Sequence, residues 1–279
     1  MAKKYYSTRT GKNPNAGKID LATLRKLFSA LYIELEEDGY FQEYFGYWCV
    51  DNGDVAGSLG PDIDAVILFK IRKSGLWPIR EKIDNYSEND LFDVIEFLHD
   101  HSSKPIDGFH HTFANCGYHY HTFNQEAGRV YYRMKVRPLL EEYKNGYELS
   151  SEGEILEHAP VGMDPLLSAN VPTTDKGISD RIASAIAKFR RYRSSVHDRK
   201  DAIRDLTDVL EYLRPSLKNV LKKQDESDLF NIANNFGIRH HNQQQKTEYD
   251  QAIWLSWMFY FYLATIQAVL HMVKRGQPA

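Results

Sequence analysis

Residues 252–273 read AIWLSWMFYFYLATIQAVLHMV, a run with no Asp, Glu, Lys or Arg, closed by Asp250 on one side and Lys274-Arg275 on the other. A stretch this long without a breaker predicts one helix. Its length would also suit a bilayer crossing, which takes about 20 apolar residues. Ser256, Thr265, Gln267 and His271 argue for a core helix instead, because polar groups in lipid are costly and need partners. Trp254, Trp257, Phe259, Tyr260, Phe261, Tyr262, Leu263, Ile266 and Leu270 point to every side of that helix. One small bundle would struggle to cover all of them, so the pattern predicts a homodimer through the C-terminal helices and no membrane partner.

The segments before it are helical too. SDRIASAIAKFRRYRSS predicts a helix capped by Ser179, and DRKDAIRDLTDVLEYL repeats Ile203, Leu206, Leu210 and Leu213 at helical spacing until Pro215 breaks it. ESDLFNIANNF is a further short helix with Gly237 at its end. Short connections predict an antiparallel bundle over residues 178–279. Upstream, His158–Gly177 holds three prolines and two glycines, and residues 161–177 read as a linker.

Residues 1–160 form the other expected domain. Leu21, Leu24, Leu27, Phe28, Leu31 and Leu35 make one helical stripe behind an Asp20 N-cap. Pro61-Asp62 opens another helix, Ser87 and Asp90 form a capping box, and Gln125–Tyr143 is amphipathic. YELS and EILEH flank Ser151-Glu152-Gly153 and predict a small β-hairpin. The fold class is therefore mainly α: a helical N-terminal domain with a small β-hairpin, then a helical bundle.

Composition narrows the function classes. With 42% hydrophobic and 26% charged residues the chain is an ordinary globular one, not disordered or collagenous. Cys49 and Cys116 are the two cysteines, and MAKKYYSTRTGKNP has no apolar leader, which together predict a cytoplasmic protein. Net charge is -3, but it is uneven: from Thr173 onward there are 17 Lys and Arg against 12 Asp and Glu, while the remainder carries 18 and 26. Nucleic acid is the natural partner of the basic half.

No P-loop, nucleophile elbow or H-E-x-x-H is present. Two clusters remain. FHHTFANCGYHYHTF gathers His110, His111, Cys116, His119 and His121; Cys116-x-x-His119 has a zinc-like local spacing that another of these histidines, such as His121, could complete, but a second Cys is lacking. The plainer reading is a packed aromatic turn, with no metal and no cofactor. FGIRHHNQQQ gathers Arg239, His240, His241 and Asn242 ahead of the apolar helix. Arg can clamp a phosphate and His can move protons near neutral pH. Those are the needs of metal-free RNA cleavage; a polar helix start is the structural alternative. Lys188, Arg190, Arg191 and Arg193 could follow an RNA backbone or simply form a solvated face.

Ile238-Arg239-His240, followed by the long apolar helix, resembles the HEPN family, whose motif is Arg, a polar residue, then His four to six positions on. Position five here is Gln244, a departure from that pattern. YYSTRTGKNP (Tyr5–Pro14), CGYHY (Cys116–Tyr120) and GYELSSEGEI (Gly146–Ile155) are similar to the AbiJ N-terminal region of abortive-infection proteins. The two resemblances imply a HEPN-like bundle under a regulatory or sensor domain, and an endoribonuclease toxin of antiviral defence. They imply tRNA, rRNA or mRNA as substrate, and an antitoxin or phage-derived trigger as partner. The alternative they leave is a non-catalytic HEPN-like RNA- or protein-binding module.

Overall fold

A computed structural model describes residues 5–14, 17–160, 162–217 and 249–275, together with Gln224, Asn231, Ile232 and Ile238. Helices dominate, and short antiparallel hairpins supply the strands. The chain divides into two compact units, Met1–His158 and Ala159–Ala279.

In the first unit, α1 (Tyr6–Arg9) precedes α2 (Leu21–Glu37), where Asp20 accepts from the Thr23 amide at 2.8 Å. This N-cap satisfies one donor left over at the helix start. Leu24, Phe28, Leu31 and Leu35 are buried, while Leu27, expected on the same stripe, is 45% exposed. Next come α3 (Gln42–Phe45), α4 (Ile63–Ile71) capped by Asp62, and α5 (Ile79–Lys82). The predicted capping box opens α6 (Glu88–Asp100), with Ser87 and Asp90 bonding each other's main chain. Then α7 (Gln125–Glu142), capped by Asn124, packs against α2 and α6 and buries Tyr132, Val136 and Leu140. Each such core side chain contributes about 1.5–3 kcal/mol by leaving water.

Among the described residues three hairpins complete this unit, where the sequence predicts one. The expected pair is β5 (Tyr147–Leu149) and β6 (Ile155–Glu157). The others are β1 (Tyr47–Cys49) with β2 (Gly53–Val55), and the longer ribbon β3 (Lys104–His111) with β4 (Gly117–Asn124). Asp51-Asn52-Gly53 carries the turn chemistry of the first hairpin, but its strands of three residues are too short to show alternation. The ribbon is irregular: the pairing skips Ile106 on β3 and His121 on β4, so each stands at a bulge.

The second unit begins with α8 (Asp164–Leu167), and Leu166, Leu167 and Val171 pack on its core, so the proline-rich stretch is part of this body. In α9 (Lys176–Arg190) the cap is Asp175, which accepts from the Gly177 and Ile178 amides, rather than Ser179. Asp175 sits where the apolar stripe beginning at Ile178 needs its helix to start. Pro215 does not end α10 (Val196–Leu217), which carries it inside. The pairs Arg181–Asp208 and Lys188–Asp205 run in opposite chain directions, so α9 and α10 are antiparallel. The final helix, α11 (Gln251–Arg275), is the one helix among the described residues long and apolar enough to span a bilayer. Here it is a core element. Met258, Phe259, Tyr262, Leu263, Ile266 and Leu270 are buried with Ile203, Leu206 and Leu210 of α10. This covers more of α11 than its sequence suggested; Ile253, Trp254 and Trp257 stay exposed at one end.

Candidate functional site

Arg239, His240, His241 and Asn242 lie outside the described residues, as does Gly237. Their immediate neighbour does not. Ile238 is fully buried in the core of the second unit, and its carbonyl accepts from Arg204 Nε at 3.1 Å. The four cations expected to follow an RNA backbone are not one strip. Lys188 Nζ is 2.6 Å from Asp205, and Arg190 is buried. Arg191 and Arg193 are exposed in the turn between α9 and α10, with Arg193 over the Tyr192 ring at 5.0 Å.

The aromatic histidine segment becomes the β3–β4 ribbon and its tip. His111 ends β3 opposite Gly117, and the loop between them turns back through Ala114, whose φ of 51° lies in the left-handed region. A non-glycine residue is strained there by about 1–2 kcal/mol. Gly108 lets the two strands approach: a Cβ there would lie 2.4 Å from the carbonyl oxygen of His119. His119 faces inward from β4, stacked on Tyr47 of β1 with centroids 4.2 Å apart.

That stacking brings Cys49 of the β1–β2 hairpin to the ribbon tip. The ligand atoms of Cys49, His111, Cys116 and His119 all lie within 4.8 Å of one another. Cys49 Sγ is 3.8 Å from His111 Nδ1, and Cys116 Sγ is 3.2 Å from His119 Nε2. Burial first, and His111 second, hold the His119 imidazole below its ordinary value. Around the cluster, Asp51 Oδ2 lies 3.3 Å from His111 Nε2, and Asn52 donates to Cys49 Sγ at 3.7 Å. Cys116 and His119 also line a cleft of about 400 Å³ with Tyr47, Glu36 and Arg80, which leaves this side of the cluster reachable from solvent.

Of the histidines that the sequence places near Cys116, the structure brings His111 and His119 to it and leaves His121 aside. His121 is the bulged residue of β4; it is exposed and bonds the Thr122 hydroxyl at 3.2 Å. The second cysteine comes from 67 positions upstream of Cys116, beyond any local motif. The available signal was indirect: both cysteines of the chain neighbour aromatic, turn-rich segments. Comparison of the chain with protein-family models, curated proteins and solved structures finds no match.

Proposed function

We propose that the chain is an endoribonuclease effector of abortive-infection antiviral defence, acting on cellular RNA in the cytoplasm through a HEPN-like C-terminal bundle. The observation that carries this reading is the anchoring of Ile238. The residue immediately before Arg239-His240-His241-Asn242 is locked into the bundle core by burial and by the Arg204 bond to its carbonyl. Groups held by a well-packed scaffold place a substrate more accurately than groups on a loose loop, and the tetrad follows Ile238 directly in the sequence.

The chemistry follows from the residue types. One of His240 and His241 takes the proton of a ribose 2′-hydroxyl, and the 2′-oxygen attacks the adjacent phosphorus. The bond from phosphorus to the 5′-oxygen breaks, and the other His protonates that leaving oxygen. The products are a 2′,3′-cyclic phosphate end and a 5′-hydroxyl end. Arg239 holds the phosphate and the charge that gathers on it, and Asn242 positions the substrate. This scheme balances without a metal ion. The N-terminal unit is the regulatory or sensor part, answering an antitoxin or a phage-derived trigger.

A second reading is a non-catalytic HEPN-like RNA- or protein-binding module. It is favoured by Gln244 at the place of the distal His.

The test is incubation of the pure protein with total RNA, with and without EDTA, checking in the same buffer that its melting temperature is unchanged. EDTA-insensitive cleavage lost in Arg239→Ala supports the nuclease. A reduction of about 10²–10⁴-fold is expected in at least one of His240→Ala and His241→Ala. Cleavage as fast as wild type in the folded Arg239→Ala and double-His variants removes this site. RNA retention without cleavage transfers the assignment to the binding module.

A further inference from the structure

We propose that Cys49, His111, Cys116 and His119 form a structural zinc site that fastens the β1–β2 hairpin to the tip of the β3–β4 ribbon. Zinc bound by two thiolates and two imidazoles is tetrahedral, with ligands at about 2.0–2.3 Å from the metal and hence about 3.3–3.8 Å from one another. The separation of 3.8 Å lies at that spacing and that of 3.2 Å just short of it, and the full set within 4.8 Å needs only side-chain adjustment to close on one ion.

The chemistry of the donors agrees with zinc rather than a harder cation. Two sulfurs and two nitrogens, with no carboxylate oxygen in the set, are borderline-soft ligands. Two thiolates balance the charge of a divalent ion, so the filled site is neutral and tolerates its partly buried place. Four protein ligands leave no open position, which marks the ion as structural.

The surroundings are those of a metal ligand set as well. A ligating histidine ordinarily gives its second ring nitrogen to a carboxylate, which fixes the tautomer. His111 presents Nδ1 to the cluster and Nε2 to Asp51. Asn52 directs an amide N–H at Cys49 Sγ, where a thiolate would accept it. Both residues come from the turn of the β1–β2 hairpin, so one short element supplies a ligand and two supporting groups. The need is physical. A two-stranded hairpin is at best marginal alone in water, and the ribbon tip carries a left-handed Ala114. An ion joining them would hold both in place.

The proposal stands apart from RNA cleavage and is tested without it. Full-length protein produced in zinc-supplemented medium and desalted is expected to hold about one zinc per chain by mass spectrometry of the metal. Cobalt put in its place should give the intense visible bands of a tetrahedral site and a thiolate-to-cobalt charge-transfer band. Cys49→Ser and Cys116→Ser should each lose the ion, whereas His121→Ala should retain it. Asp51→Ala should keep the ion with about 10–100-fold weaker affinity. The cobalt spectrum of wild type keeps the test decisive if the cysteine variants fail to fold. Wild-type protein that takes neither zinc nor cobalt overturns the proposal. So does zinc that survives in a folded Cys49→Ser variant but leaves with His121→Ala, which would identify the local set. A metal-free chain lighter by two hydrogens under non-reducing conditions would make the pair a disulfide instead.

Discussion

Arg204 Nε donates to the carbonyl oxygen of Ile238 at 3.1 Å, tying α10 to the residue that precedes Arg239. A hydrogen bond from a charged donor contributes about 1.5–3 kcal/mol where it is shielded, and less at a half-exposed arginine. Arg204→Met keeps the apolar stem and removes the donor together with the exposed Arg204–Asp201 pair, a surface contact of small worth. It is expected to destabilise the protein by about 1 kcal/mol and to lower RNA cleavage through kcat more than KM. Thermal melts and steady-state kinetics on the same preparation check this. Unchanged kcat with a lowered melting temperature would show that the bond stabilises the bundle without positioning the tetrad.

The capping box of α6 gives a pH dependence of known sign. Burial works against the charged Asp90 carboxylate, but the Ser87 hydroxyl, Lys73 and the Ser87 amide outweigh it, and the net shift is downward. Lys73 Nζ lies 3.0 Å from Asp90 and 2.6 Å from Asp93. A carboxyl with a lowered folded value stabilises fully above its ordinary value of about 3.9, and that contribution is lost as pH falls through the folded value. Asp90→Ala should cost about 1–2 kcal/mol at pH 7. The gap in melting temperature between wild type and variant should shrink as pH falls below that ordinary value of about 3.9. A gap that stays constant from neutral to acid would mean that the charge of Asp90 contributes nothing.

Gly128, inside α7, sets two effects against each other. An alanine there would favour the helix by about 1 kcal/mol. Its Cβ, however, would lie 2.5 Å from main-chain atoms of Ser103 and Lys104, which cannot rotate away. Overpacking against backbone costs about 1–3 kcal/mol, so the clash wins. Gly128→Ala is expected to lower the denaturant midpoint. A raised midpoint would show that the approach of α7 to the start of β3 is loose.

The exposed end of α11 bears on assembly. Trp254 and Trp257 stand edge to face at 5.5 Å, and Trp257 stacks on Phe261 at 5.2 Å, forming one stripe that remains partly open to water. A homodimer through that stripe would bury aromatic anchors of the kind that dominate interface energy. Light scattering at micromolar concentration should return twice the 32.4 kDa chain mass, and Trp257→Glu should return that mass once. A wild-type monomer under those conditions removes the dimer.

What the sequence determined by itself was local. Asp20, Asp62 and the Ser87–Asp90 box could be read as helix starts because each cap and the amide it serves are three residues apart. The stripe Ile203, Leu206, Leu210 and Leu213 marked α10 because burial of one helical face repeats at helical spacing. Tertiary structure decided the rest. Pro215 is carried inside a helix that the core of the second unit holds together, against its local tendency to break it. His121 left the cysteine–histidine cluster because a bulge, set by how β4 pairs with β3, shifts strand alternation at that point. Cys49 entered it from 62 positions before His111, carried by the stacking of Tyr47 on His119. Spacing along the chain encodes helix caps and faces, since those depend on near neighbours. A ligand set drawn from two hairpins depends on register and packing, which exist only once the chain has folded.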